Sequence, residues 1–149
     1  MKNNNFEFLE RYKYKIKTVK EFNKISLNKD FIQCHGVFDV VHPGHIRHFL
    51  YAKSLCDTLL VTITSDKFIK KGVYRPHIPE KLRALNLAAM EMVDFVIIDD
   101  NEEPLNLIKS IKPNFFAKGF EYGSDKVSKA TTREINALKS YGGKMIFTP

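Results

Sequence analysis

A chain of 149 residues is long enough for one domain with a sizeable core, and a content of 44% hydrophobic and 12% aromatic residues excludes a disordered or fibrous protein. No apolar run approaches the ~20 residues of a membrane-spanning helix, and the polar start Met1-Lys2-Asn3-Asn4-Asn5 does not read as a signal peptide. The net charge of +7 suits anionic partners. Residues 1–30 carry eight basic against four acidic side chains (+4) and the remainder 16 against 13 (+3), so over half of the excess lies in the leading segment. A solvated basic face accounts for this charge and anionic small molecules fit it as well as nucleic acid does, so nucleic acid is not the expected partner. Cys34 and Cys56 read as reduced core residues, which makes the cytoplasm the default compartment.

In chain order, residues 1–15 alternate polar and aromatic types without a clear period. Thr18, with Glu21 three residues on, has the form of a capping box opening a short helix through Ile25, and Asn28-Lys29-Asp30 makes a turn. Residues 1–30 are therefore expected as a basic N-terminal extension with a short helix. Across 31–149 strand and helix patterns alternate. Phe31–Val37 reads as a buried strand, followed by a helix from about Pro43 to Leu55 with an apolar stripe. Thr58–Thr64 is β-branched and reads as a second strand. A polar, basic loop runs from Ser65 to Pro79, and Glu80 to Glu91 is helical. Val93–Ile98 is a third strand, Pro104 opens a helix through Ser110, and Asn114–Ala117 makes a fourth strand. Thr131 or Thr132 caps a helix through Tyr141, and Lys144–Phe147 is the fifth strand. Five short apolar strands separated by helices predict an α/β, Rossmann-like doubly wound sheet of about five parallel strands with helices on both faces. Ligands of such sheets collect at the carboxyl ends of the strands, where strand order reverses.

The stretch Cys34-His35-Gly36-Val37-Phe38-Asp39-Val40-Val41-His42-Pro43-Gly44-His45 leaves one such carboxyl end. It reads as a strand, a turn holding an acid, and two histidines three apart where a helix begins. A helix start presents unpaired N–H groups and the positive end of the helix dipole, which suits phosphate. Pro43 fits the first turn, Gly44 lets the backbone approach a ligand, and histidines at i and i+3 share a face. The series His42, His45, His48 also has a metal reading, but no Cys or Glu stands at a supporting spacing, so no protein-held metal is expected.

The whole string, Gly-x-Phe-Asp-x-x-His-x-Gly-His after an apolar run, resembles the signature of the cytidylyltransferase-like nucleotidyltransferases. The resemblance runs from about Lys17 to Pro149. Arg75-Pro76, the Glu80-to-Arg83 turn, Val93-Asp94, Ile111-Lys112-Pro113 and Lys118-Gly119 follow one another as in the adenylyltransferase part of ADP-heptose synthases. It implies transfer of AMP or CMP from a nucleoside triphosphate, accompanied by Mg²⁺, to a phosphorylated sugar or polyol such as a heptose 1-phosphate, releasing pyrophosphate. His42, His45 and a loop lysine, Lys71 or Lys70, would act on the triphosphate. Gly36, Val37, Phe38, Asp39, Gly44, Lys70, Arg83, Lys118, Gly119 and Tyr122 would bind the nucleotide. Read from the residues alone, Lys70, Lys71 and Arg75 are equally a solvated loop, Arg83 a surface helix residue, and Phe38 core. Asp39 is equally a turn residue bonding backbone N–H groups, and Asp99-Asp100 a solvated turn or a Mg²⁺ ligand.

The glycerol-3-phosphate cytidylyltransferases share His-x-Gly-His but usually lack the Lys-Gly-x-x-Tyr stretch, so the CTP-dependent reading stands as the alternative. A homodimer and a fused or associated sugar kinase domain are further implications of the family. One feature departs from it: no Ser-Thr-Thr element follows the last strand. Thr131-Thr132-Arg133 precedes that strand and does not take over the role. The expectation is a nucleotidyltransferase domain at 31–149 lacking its C-terminal helix, with a nucleotide-binding module of little catalysis as the other alternative.

Overall fold

In a computed structural model, which describes residues 10–27, 29–70, 72–122 and 127–149, five parallel strands form one sheet. They are β1 (Phe31–Gly36), β2 (Thr58–Thr64), β3 (Phe95–Asp99), β4 (Phe115–Gly119) and β5 (Lys144–Thr148), in the order β3-β2-β1-β4-β5. The chain steps outward from β1 to β2 and β3, then crosses back to place β4 on the other side of β1. The reversal of strand order therefore falls between β1 and β4, where Ile32, Gln33 and Cys34 pair with Phe115, Phe116 and Ala117.

Helices cover both faces, as the strand–helix alternation predicts. On one face, α2 (Pro43–Leu55) and α3 (Glu80–Ala88) bring Phe49, Ala52, Ala84, Leu87 and Ala88 onto Ile32, Cys34, Leu59, Val61, Ile63 and Val96. On the other, α1 (Val19–Phe22), α4 (Leu105–Ile111) and α5 (Lys129–Lys139) close over the alternate residues of the same strands. Phe22, Leu107 and Ile111 meet Phe31, Leu60 and Ile97, while Ile108, Ala137 and Leu138 meet Phe116. The two-residue period of the strands sorts these sets.

The Thr18–Glu21 capping box is present, but the helix it opens ends at Phe22 and not Ile25. Residues 10–27 are bound into the sheet body: Ile16 bridges to Val96, the Lys15 ammonium donates to the carbonyls of Met90 and Val93, and Phe22 meets Phe31 and Phe95 edge-on. The expected turn at Asn28 lies outside the described residues. Other boundaries shift for identifiable reasons. β1 stops at Gly36 because the Val37 carbonyl accepts from the Arg83 guanidinium and not from the ladder. β4 runs on to Gly119 because Lys118 and Gly119 pair with Phe147 and Thr148. The last helix is capped by Ser128, whose hydroxyl accepts from the Thr131 N–H, and not by Thr131 or Thr132.

Arg83, a candidate from the sequence, is fully buried. Its Nε donates to Ile78 O (3.0 Å), Nη1 to Val37 O (2.6 Å), and Nη2 to Thr64 O (2.9 Å) and the Asp66 carboxylate (2.6 Å). One side chain thus ties the carboxyl ends of β1 and β2 to the loop that follows β2. Neither a surface position nor a side chain reaching into a cleft describes it. Arg83→Met keeps the volume and removes every donor, taking the partner from one buried and two half-buried carbonyls; we expect a loss on the order of 3 kcal/mol in urea unfolding. A midpoint close to that of the unchanged chain would contradict this role.

Candidate active site

A cleft of about 900 Å³ opens at the carboxyl ends of β1 and β4, at the reversal of strand order. Its walls come from the β1–α2 turn, the first turns of α2, the loop after β2, and the segment after β4.

The helix start is built by the two histidines themselves. His42 is the N-cap of α2: its Nδ1 accepts from the Gly44 N–H at 3.1 Å, while the His45 Nδ1 accepts from the His42 N–H at 3.4 Å. Pro43 occupies the first helical position, where its missing N–H costs nothing. With both Nδ1 atoms accepting, this network puts the ring proton of each on Nε2. The rings stack at 3.8 Å, and the His45 ring meets Phe38 edge-on at 5.1 Å. The two histidines and Gly44 all line the cleft.

Phe38 is a core residue packed on Phe49; it also lines the cleft, and its ring buttresses His45. Its backbone has φ +48°, the left-handed region that bulky residues avoid, so the turn holds it in a strained conformation. That turn folds the phenyl ring back over Gly36, where an added Cβ would lie 2.9 Å from the ring. Gly36 is therefore needed to seat Phe38. Gly36 and Val37 both line the cleft as well.

Asp39 accepts backbone N–H groups, but those of the loop after β2 and not of its own turn. Its carboxylate takes His77 N at 3.0 Å, Ile78 N at 2.9 Å and Arg75 Nη1 at 2.9 Å. Burial opposes its charge, yet the two N–H donors, the Arg75 guanidinium and the proximity of His77 outweigh burial and hold the carboxyl well below the usual range. The loop is thereby fastened to the motif. Of its lysines, Lys70 does not line the cleft; it pairs with Glu102 on the exposed surface. Lys71 lies outside the described residues.

Across the cleft, the Lys118 ammonium is held by the buried Glu134 (2.5 Å) and by Thr131 Oγ1 (3.0 Å), and lies 5.1 Å from the Tyr122 ring centre. Lys118, Gly119 and Tyr122 all line the cleft. Thr131, set aside on its position in the sequence, reaches the site through Lys118. Asp99 is buried against Asn101, away from the cleft lining, and burial pushes its carboxyl up to about 6. Asp100 pairs with Lys67 and Ser65. Neither acid is placed to serve a metal in the cleft.

Three further histidines in the lining were assigned no part in the nucleotide site by sequence reasoning. His35 donates from Nδ1 to Thr62 Oγ1 (2.9 Å) and accepts at Nε2 from the Thr64 hydroxyl (3.3 Å), because the Thr62 hydroxyl is committed to the Cys34 carbonyl. Burial, with Lys118 nearby, pushes His35 down to about 4 and keeps it neutral. The His48 Nδ1 lies 2.7 Å from Thr148 Oγ1, which donates to the Lys118 carbonyl, so α2 is linked to the ends of β4 and β5. His77 is the third. The spacing of His45 and His48 on one helix face was the available signal for the second; the other two have no local signature. Among the described residues no group of three or more His, Cys, Asp or Glu is disposed around a metal ion.

Residues 33–145 match the model of the cytidylyltransferase-like family. The chain belongs to that family, and its class is that of a nucleotidyltransferase. Among curated proteins it is 41% identical over 119 residues to the "Bifunctional protein HldE" of Campylobacter fetus subsp. fetus, covering 78% of this chain and 26% of the relative. The protein of the same name from Campylobacter concisus is 34% identical over 146 residues, covering 94% and 31%. The chain thus spans about a quarter to a third of these relatives' length. Among solved structures, a lipopolysaccharide core biosynthesis protein from Thermoplasma volcanium superposes with TM-score 0.68 at 22% identity, covering 82% of this chain and 98% of that one. A pantoate-beta-alanine ligase from Francisella tularensis, solved with beta-gamma ATP and beta-alanine, gives 0.60 at 16%, covering 90% and 66%. These two likenesses establish the fold. Among the described residues no helix is long and apolar enough to cross a membrane.

The Asp39 fastening carries a pH signature. A carboxyl depressed in the folded state contributes stability in full above its unfolded value near 3.9 and loses it as pH falls from there toward the folded value. Unfolding free energy should therefore fall steeply in acid below about pH 4, and Asp39→Asn should flatten that fall while lowering stability at neutral pH. Parallel acid limbs for the two proteins would show that Asp39 does not carry it.

Proposed function

We propose that this chain is an adenylyltransferase domain that moves AMP from ATP to a sugar phosphate of the heptose 1-phosphate type. The observation that carries the reading is the stacked His42–His45 pair at the start of α2, inside the cleft at the strand-order reversal. The identity to relatives named bifunctional protein HldE over most of this chain supports the sugar-phosphate acceptor. A fused or associated sugar kinase domain supplying that acceptor, and a homodimeric assembly, belong to the same reading.

In this mechanism a phosphate oxygen of the acceptor attacks the α-phosphorus. The new O–P bond forms as the bond from the α-phosphorus to the bridging oxygen breaks, and pyrophosphate leaves with that electron pair. A phosphate monoester is already largely dianionic at pH 7, so no base need remove a proton. The protein's task is to place donors and positive charge around the crowded phosphoryl group. His42 and His45 present ring N–H groups, and the start of α2 adds the positive end of its dipole. Lys71, or Lys70 released from Glu102, would add charge from the loop after β2. Gly36, Val37, Phe38, Asp39 and Arg83 form and brace the nucleotide wall, and Lys118, Gly119 and Tyr122 form the opposite one. Of the cleft's acids, Asp39 and Glu134 are already engaged by Arg75 and Lys118. The pocket thus offers Mg²⁺ no protein cage from these acids, and the ion would enter on the triphosphate, whose charge it lowers.

Incubation with ATP or CTP, Mg²⁺ and a panel of sugar and polyol phosphates should release pyrophosphate fastest with ATP and a heptose 1-phosphate. Preference for CTP with glycerol 3-phosphate would replace this reading by the cytidylyltransferase one. Nucleotide-induced thermal stabilisation without turnover would mark a binding module. His42→Ala and His45→Ala should each lower turnover about 10²–10³-fold. The folded state should survive both, the lost N-cap at His42 costing about 1 kcal/mol. Near-normal turnover in either variant would remove that histidine from the mechanism.

A further inference from the structure

The geometry points to Arg75 and His77 as the clamp for the phosphate group of the acceptor, on the side of the cleft facing away from the β4–β5 wall; we infer this on the basis of the nucleotidyl-transfer reading above. The reaction brings two anions together, and each needs donors of its own. The triphosphate has the start of α2. An attacking phosphate must reach the α-phosphorus from the side opposite the leaving pyrophosphate, so its donors belong on a different wall.

The loop after β2 supplies that wall. Of the described residues there, Ile69, Arg75 and His77 line the cleft, next to Thr64 at the end of β2. Two of these can hold an anion, and one carboxylate aims both. Asp39 Oδ2 takes Arg75 Nη1 and the backbone N–H of His77, two residues apart, and Oδ1 takes the N–H of Ile78. Asp39 is buried and both of its carboxylate oxygens are engaged by these donors, so its charge is directed into the loop. The Arg75 side chain remains 44% exposed, and its Nε and Nη2 make no hydrogen bond to any described residue. A guanidinium held at one nitrogen with its other donors unspent is preorganised for a two-point grip on phosphate oxygens. The His77 imidazole is exposed in the same lining and makes no hydrogen bond to any described residue, while its backbone is fixed by Asp39. The other cationic groups of the cleft are placed differently: Lys118 is neutralised by Glu134 on the far wall, and Arg47 sits on α2 beyond the histidines.

His77→Ala is the clean probe, since it keeps the backbone N–H that Asp39 uses. It should raise KM for the sugar phosphate about tenfold or more, with KM for the nucleoside triphosphate within about twofold. Arg75→Lys, which keeps the charge but not the fork, should shift acceptor KM in the same direction. An unchanged acceptor KM in His77→Ala, or an equal rise in the KM of the nucleotide, would overturn the assignment while leaving the proposed reaction intact. If no nucleotide and sugar phosphate pair gives pyrophosphate, the reaction fails and the clamp is judged by binding alone. In that case titration with inorganic phosphate should move the His77 ring proton resonances in the unchanged chain. The same titration of Arg75→Ala should move them far less. Absence of any shift in the unchanged chain would overturn the clamp as well.

Discussion

The site depends on one buried cation. In a parallel sheet the strand carbonyls beyond the last ladder bond point toward the ligand edge with nothing to accept. Here Arg83 reaches from α3 and satisfies those of Val37 and Thr64, at the ends of β1 and β2, together with Ile78 of the loop. Its one carboxylate partner, Asp66, is itself held at the loop's start, its backbone N–H donating to Glu80 while its side chain accepts from the Glu80 N–H. A buried guanidinium is expensive to desolvate, and four acceptors at 2.6 to 3.0 Å are what offset that cost. The result is a rigid corner from which the β1–α2 turn departs.

From that corner the motif works as a set of mutual constraints. The strained Phe38 backbone throws its ring over Gly36 and under His45, His45 caps His42, and His42 caps the helix. Asp39, next in the chain, fastens the far end of the same loop that Arg83 fastens at its beginning. The residues that would meet phosphate are therefore held by neighbours that would not. Strain and burial at one turn are converted into the fixed direction of two imidazoles.

Much of this was legible in the sequence because it is local. The β-branched run Thr58–Thr64, the extent of the helix from Pro43 to Leu55 and the capping box at Thr18 each follow from short-range sterics and hydrogen bonding, and each stands where its pattern predicts. The histidine pair at a helix start was legible for the same reason. The roles of Gly36, Asp39 and Arg83 were not. Each depends on a partner: a ring two residues on that turns back, N–H groups 38 and 39 residues away, carbonyls 19 and 46 residues away. Lys118 is a similar case, since its charge is met by Glu134, whose position on an amphipathic helix gives no local sign of it.

The sequence by itself determined the alternation of strands and helices, the phosphate-suited helix start after the first strand, and the family to which the motif belongs. These are consequences of periodicity, capping and a contiguous string of residues. Only the tertiary structure decided which charged side chains brace the cleft and which face into it. Arg83 and Glu134 look no different in sequence from solvated helix residues, and Lys70 looks no different from a phosphate ligand. The distinction is made by burial and by acceptors drawn from distant strands, because the free energy of a charge is set by what surrounds it after folding.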